Sequence, residues 1–344
     1  MTRRGFAREY GWELLLAALG ILAVIASAAI SPYYLSASQM LLSLRPVVVA
    51  GVVALGMVPI MVVGEIDISL PAMVGLSAVT LAQFSAHGFS VALAVPVVLA
   101  VDLVAAIGNG LLVTRLRLPS LAVTLGSSAV IGALAFLVGG TNGYAGFDGT
   151  YTWLGGTLVG NTIPVELIVL LALVVAFAIL MHRTVMGRLW YTVGSNLVAA
   201  RFSGIDTIRI KIAAFAVGGL MAALGGWLFV GQYGSAQPDS ASGILLPVIT
   251  TVVLGGVAIE GGRGTIPGVV LSLFLLGTLQ NGMGLANVPV ENQTVVFGML
   301  LVLAVLASHV IGRLHLTRRA IPPRRLAPAT STEGRASAYT SADG

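Results

Sequence analysis

The feature that most limits this chain is a succession of apolar runs, separated by short polar breaks, at about 14 to 30, 40 to 63, 70 to 86, 90 to 113, 120 to 138, 163 to 182, 212 to 235, 243 to 258, 265 to 285 and 292 to 310. A bilayer core takes roughly 20 residues of helix, and lipid offers no partner to backbone N–H and C=O groups, so runs of this kind are stable there only as helices. The expected fold class is an all-α polytopic membrane protein with about ten transmembrane helices. Composition agrees: 57% of the residues are hydrophobic and 9% are charged, too few polar groups to clothe a soluble surface.

The breaks carry the orientation. The stretch from Arg183 to Lys211 holds five of the eighteen Lys and Arg residues and is the longest mixed-polarity interruption before the C-terminal tail. Cytoplasmic loops gather basic residues, which assigns this stretch to the cytoplasm. A cytoplasmic N-terminus followed by ten spans then puts Arg115, Arg117, Arg183, Arg188, Arg201, Arg209, Lys211, Arg263 and the Arg-rich tail on the same side, and only Arg45 dissents. Asp148, Glu166, Asp239 and Glu291 fall outside, in loops without bases. The expected division is a cytoplasmic N-terminus at 1–13, a transmembrane domain at 14–312 with a cytoplasmic loop at 183–211, and a basic, disordered cytoplasmic tail at 313–344. Ala26-Ser27-Ala28 resembles a signal-peptidase site, but the first span of a polytopic chain commonly stays as its anchor. The net charge of +5 follows from this topology and calls for no nucleic acid. The absence of cysteine excludes disulfides, thiolate metal sites and cysteine nucleophiles.

Inside the cytoplasmic stretch, Ser195 to Phe202 is alanine-rich and flanked by Gly194 and Gly204, which predicts a short helix bounded by breakers. A short cytoplasmic helix between spans is a natural docking surface. A second regularity appears when the chain is shifted by about 172 residues. The spans near 40, 70, 90 and 120 then overlie those near 212, 242, 262 and 292, with Asn109-Gly110 on Asn281-Gly282 and Gly126 on Gly298. The paired spans run in opposite directions, so the repeat is inverted, an arrangement typical of transport proteins. The competing reading is chance matching in a chain with 43 glycines.

Polar residues among the spans are the candidates for function. Glu65, Asp67 and Ser69 alternate with isoleucines in G-E-I-D-I-S-L-P at 64 to 71, where Gly64 and Pro71 mark a helix interruption. They line a pathway or gate, or they form a short cytoplasmic turn in which Asp67 or Ser69 caps the next helix. Asp102 lies midway along the fourth span, two helical turns from Asn109 on the same face. An acid there faces a cavity or makes an interhelical hydrogen bond, and Asn281 and Gln280 in the ninth span pose the same choice. The outside loop at 139 to 162 carries Tyr144, Phe147, Tyr151 and Trp153, as interfacial anchors or as a surface for an external partner.

Enzyme signatures are poor. Lys211 is the only lysine and follows Ile210, which rules out a P-loop, and the four histidines (87, 182, 309, 315) lack zinc-protease spacing. No cofactor or metal is expected. Short Gly-x-Ser matches at 75 to 77 and 126 to 128 are unremarkable in a chain so rich in small residues.

Several stretches resemble one family: G-E-I-D-I-S, V-T-L-G-S-S at 123 to 128, G-R-L-W-Y-T-V-G-S-N-L-V-A-A-R-F-S-G-I at 187 to 205, G-S-A-Q-P at 234 to 238 and V-V-L-G-G-V-A-I-E-G-G-R-G-T at 252 to 265. Together they resemble the ribose-type permeases of bacterial ABC sugar importers, over nearly the whole chain. E-Y-G-W-E-L-L-L-A-A-L at 9 to 19 and L-L-P-V-I-T-T-V-V-L-G-G at 245 to 256 are most similar to the permeases for autoinducer-2 and rhamnose. One departure is clear: the family usually has Gly-Gly-Ile-Asp-Leu-Ser-Val-Gly, and this chain has Glu65 for the second Gly and Leu70-Pro71 for Val-Gly.

The resemblance implies a multi-pass permease subunit in the inner membrane. Its partners would be a second permease or a copy of itself, two cytoplasmic ATP-binding subunits and an extracytoplasmic sugar-binding protein. It also implies that Gly194, Ser195, Asn196, Ala199, Ala200, Arg201, Gly204 and Ile205 form the coupling helix that sits in a groove of the ATPase. The solute path would be weakly polar, with Glu65, Asp67, Ser69, Asp102, Asn109 and Asn281 as candidates. The rival expectation is an ion-coupled secondary transporter with Asp102, or Glu65 and Asp67, as the proton or sodium site.

Overall fold

A computed structural model describes residues 11–30, 32–160 and 162–317. The segment 2–10 and the basic tail from Arg318 onward lie outside the described residues. Fourteen α-helices in the described residues account for nearly all the regular structure: α1 Gly11–Ile30, α2 Ala37–Ser43, α3 Val48–Val62, α4 Leu70–Ala86, α5 Val91–Arg115, α6 Ser120–Gly139, α7 Gly149–Gly156, α8 Val165–Arg183, α9 Val185–Ser195, α10 Leu197–Phe202, α11 Thr207–Tyr233, α12 Leu245–Leu254, α13 Ile266–Leu285 and α14 Val290–Thr317. Two antiparallel pairs of two-residue strands tie loops at one end, Tyr144–Ala145 with Ser235–Ala236 and Leu158–Val159 with Ile163–Pro164.

The ten apolar runs divide into eight helices long and apolar enough to cross a membrane and two shorter apolar ones, Leu70–Ala86 and Ser242–Leu254, among the described residues. The chain is thus an all-α polytopic membrane protein. A helix apolar all round must be buried all round, and α3, V-V-A-G-V-V-A-L-G-M-V-P-I-M-V, has every residue buried. It packs against α11, α12 and α8, while α11 also contacts α4, α5 and α7. The peripheral helices instead turn apolar side chains outward, among them Ile21, Val104, Leu137 and Leu171, as lipid-facing surfaces do.

Small residues set how closely the central helices approach. A Cβ on Gly56 would lie 2.7 Å from Met221 Cβ, and one on Gly225 would lie 3.0 Å from Val53 Cγ2. Val53 and Gly225 are also 172 residues apart, so two positions that the expected repeat would make equivalent lie in contact. The short helices cross between halves: α4 contacts the 242–244 turn and α12 contacts α3. The likeness stops at α13, whose largest neighbour is α1. There Trp12 Nε1 donates to the Leu254 carbonyl at 2.8 Å, and Thr265 Oγ1 donates to Glu13 Oε1 at 3.1 Å.

Arg45, the one base out of place in the topology, is not a free loop cation. Its Nε is 2.5 Å from Glu166 Oε1, its Nη2 donates to the Gly155 carbonyl at 3.0 Å, and Gln232 Nε2 donates to its own carbonyl at 2.9 Å. A neutralised, enclosed arginine carries little topological weight. In the loop beside it, Tyr144 and Phe147 stack edge to face with centroids 4.7 Å apart, and Tyr151 is buried with its hydroxyl on the Phe89 carbonyl. Of the four aromatics in this loop only Trp153 is exposed.

Candidate functional site

The site is built where α3 ends. Gly64, with φ of +81°, turns the chain out of the helix into 65 to 69, and α4 starts at Leu70 with Pro71 in its first turn, where a missing N–H costs nothing. Asp67 is fully buried. Its Oδ1 accepts from Ser69 N at 2.8 Å and from Ser69 Oγ at 2.5 Å, and Asn109 Nδ2 donates to Ser69 Oγ at 2.9 Å. Ser120 Oγ accepts from Ile66 N at 3.3 Å, which adds α6 to the cluster. Asp67 is therefore neither solvated nor a conventional cap: it closes a local turn on Ser69 and knits α4 to α5.

Glu65 takes a different partner, the chain's only lysine, and both side chains of the Glu65–Lys211 ion pair are 14% exposed. The residue that departs from the family pattern has its own counter-ion. Sequence spacing gave no sign of this pairing, because the two lie 146 positions apart; the available signal was a lone lysine at the foot of a span.

Asp102 and Asn109 do lie on one buried face of α5, together with Val98, Ala106 and Gly110. They do not share a partner, for Asp102 Oδ2 accepts from Ser77 Oγ on α4 at 2.9 Å while Asn109 serves Ser69. Asp102 thus makes the interhelical hydrogen bond of the two alternatives, with Oδ1 left without a protein partner. Asn281 stands apart on α13, whose neighbours include α1, α2, α8, α12 and the 45–47 turn, and its Oδ1 is likewise unpartnered. Five of the six expected polar residues gather around α4 and α5, and Asn281 does not join them.

The 183–211 stretch contains more structure than the expected single helix. Val185–Ser195 forms α9, amphipathic with Gly187, Trp190 and Val193 turned inward. That three-residue spacing was the overlooked signal. Ser195 closes α9 rather than opening the short helix, and Gly194 lies inside α9 rather than breaking it. A Cβ at Gly194 would be driven into the carbonyl oxygen of Val62 and would lie 2.7 Å from Gly262 N. The α3 terminus meets that turn directly, since Gly262 N donates to the Val62 carbonyl at 2.8 Å, and Gly261 and Gly262 both have positive φ. Two further bonds seat α9: Trp190 Nε1 donates to the Ile210 carbonyl at 3.0 Å and Tyr191 Oη to the Gly264 carbonyl at 2.7 Å. Burial pushes the Tyr191 phenol up to about 12, which keeps its proton in place for that bond.

Helix α10, Leu197–Phe202, follows directly. Asn196 caps it, its side chain accepting from Ala199 N at 2.9 Å. Gly204 ends it at φ of +78° with open space around its Cα, so the left-handed backbone and not a close approach calls for glycine there. Ile205 N returns to the Ala200 carbonyl at 3.1 Å, closing the end as helix C-termini commonly do. Ala199 is exposed, but Ala200 is 1% exposed and packs within its own chain. The small size of Ala200 thus serves internal packing, a correction to its expected place on a docking face. Phe202, 89% exposed, and Val198 are the residues α10 presents outward. Arg201 Nε donates to Thr207 Oγ1 at 3.2 Å.

Comparison with known proteins bears on this arrangement. Residues 39–305 match the family described as branched-chain amino acid transport system / permease component. The autoinducer 2 import system permease protein LsrD of Photorhabdus laumondii is 33% identical over 88% of this chain and 92% of its own length. The protein of the same name from Yersinia enterocolitica is 33% identical over 92% and 98%, and that from Salmonella paratyphi A 34% over 88% and 93%. No solved structure matches. With a match spanning most of the chain and relatives aligned nearly end to end, the chain belongs to this family of permease components, the one to which the ribose-type resemblance of its motifs pointed.

Proposed function

We propose that this chain is the transmembrane subunit of an ABC importer that passes autoinducer-2 or a ribose- or rhamnose-type sugar across the inner membrane, with separate cytoplasmic ATP-binding subunits supplying the energy. The observation that carries the reading is mechanical. An exposed short helix, α10, follows α9 after the single extended residue Asn196, and α9 is fastened without an intervening side chain at Gly194 to the end of α3, from which the partly buried Glu65–Ser69 turn springs. A push on α10 therefore reaches the turn through packed backbone, the kind of rigid linkage that a two-state switch of access requires.

Both termini lie on the cytoplasmic side in this reading, with the 140–164 loops facing the extracytoplasmic binding protein. A second permease, identical or related, completes the path. Solute hydroxyls need only passing partners, and the buried oxygens of Asp102, Thr250, Ser272, Thr278 and Asn281 that have no protein partner are groups able to serve when the bundle rearranges. Affinity then belongs to the external binding protein.

The ion-coupled alternative is less well supported by the same residues, because Glu65 is already paired with Lys211 and Asp67 and Asp102 are each held by a hydroxyl in a closed environment. The test is co-purification of the ATP-binding subunit. Phe202→Asp on the exposed tip of α10 is expected to reduce its recovery about tenfold or more, as loss of an aromatic anchor does, while leaving yield of the permease unchanged. Undiminished recovery rejects α10 as the contact.

A further inference from the structure

A cavity of about 600 Å³ opens at the foot of α5, lined by Thr114, Arg115, Arg117, Arg201, Ile205, Asp206, Thr207 and Ile208. Three arginines, Arg115, Arg117 and Arg201, line it. The one acid in its wall, Asp206, is already bridged to Arg209 at 3.0 Å, and among the described residues neither Arg115 nor Arg117 has a carboxylate partner. Arg117 also holds φ of +57°, a left-handed backbone that a residue other than glycine adopts at a cost. The pocket is thus a concentration of unneutralised positive charge in a partly enclosed space.

Its surroundings indicate what the charge is for. The cavity lies where two candidate spans end, α5 at Arg115 and α11 at Thr207, and a helix apolar enough to cross the bilayer ends near its boundary with water. Beside it Leu112, Leu116, Leu118 and Ile208 are exposed, Leu116 by 62%. Basic groups in a recess with apolar side chains at its rim match an anion that arrives attached to hydrocarbon, and basic pockets between helix ends on the cytoplasmic side are where lipid phosphates settle. Free phosphate shares the anion but has no use for the leucines.

We infer that this pocket binds the phosphodiester headgroup of an anionic phospholipid, with Arg115, Arg117 and Arg201 on the phosphate and Leu116 and Leu118 against the acyl chains. The inference rests on the cytoplasmic placement of this end proposed above, but its test does not, because lipid retention is read in solution where sidedness and transport play no part. The purified protein is exchanged into detergent containing equal phosphatidylglycerol and phosphatidylcholine, and bound lipid is counted by native mass spectrometry. Wild type is expected to retain phosphatidylglycerol over phosphatidylcholine by about tenfold, each basic group adding a several-fold preference. The Arg115→Gln/Arg117→Gln variant is expected to lose that preference, Arg115→Lys/Arg117→Lys to keep most of it, and Arg183→Gln, an exposed base at the same end, to leave it unchanged. Equal retention by wild type and the Gln variant overturns the proposal. So does displacement of the lipid by inorganic phosphate at matched concentration, which assigns the pocket to a soluble anion, or loss of ATP-binding subunit recovery in the Gln variant with lipid retention intact, which assigns it to a protein.

Discussion

At position 194 the absence of a side chain lets α9 lie directly on the end of α3. Gly194→Ala is expected to cost about 1–3 kcal/mol of stability, the usual penalty for forcing atoms into a filled site, read as earlier thermal unfolding in detergent. Gly126→Ala, on a helix face with nothing within 4 Å, is expected to stay within about 0.5 kcal/mol of wild type. Equal behaviour of the two variants would contradict a tight junction at 194. The acids are a second lesson at this scale. Asp67 and Asp102 were legible in the sequence as costly residues needing partners, and each has a serine hydroxyl. Which serine was not legible, since Ser77 lies 25 positions from Asp102 and no periodicity links an α4 residue to an α5 one.

At the scale of elements, hydrophobic runs located the helices well because lipid demands them, residue by residue, along each segment. The departures are places where tertiary contact overrides local pattern. Gly194 looked like a breaker and is a contact, and the short helix expected at 195–202 is a capped turn and a half preceded by the longer α9. Asn281 matched Asn109 in the expected repeat, yet the main neighbour of α13 is α1, a helix outside the repeated spans. The pairing of Glu65 with Lys211 joins the turn after α3 to the foot of α11. Glu65→Gln should lower stability by about 1–3 kcal/mol, between the values for an exposed and a buried pair, and Glu65→Lys combined with Lys211→Glu should recover much of it. A double variant no better than the sum of the two single ones would show that the pair does not fasten these elements.

For the molecule as a whole, the proposed orientation rests on the basic residues once Arg45 is set aside with Glu166. The chain has no cysteine, so an introduced thiol is unique. A membrane-impermeant maleimide applied to intact spheroplasts is expected to label Val159→Cys and to label Phe202→Cys only after the membrane is opened. The reverse pattern would invert the topology and move α10 away from any cytoplasmic partner. The same orientation places the exposed helix, the arginine pocket and the Glu65–Lys211 pair at the end where an ATP-binding subunit would act.

The account's central claim, that energy enters through a separate ATPase and not through an ion gradient acting on this chain's acids, is tested most directly in proteoliposomes. The permease is reconstituted with its ATP-binding subunits and binding protein, and uptake of labelled autoinducer-2, ribose and rhamnose is measured with ATP enclosed, and again with a proton or sodium gradient and no ATP. The expected result is accumulation of at least one of these solutes that requires ATP and is abolished by omitting the ATP-binding subunits. Accumulation driven by the ion gradient alone, lost in Asp102→Asn, would contradict it.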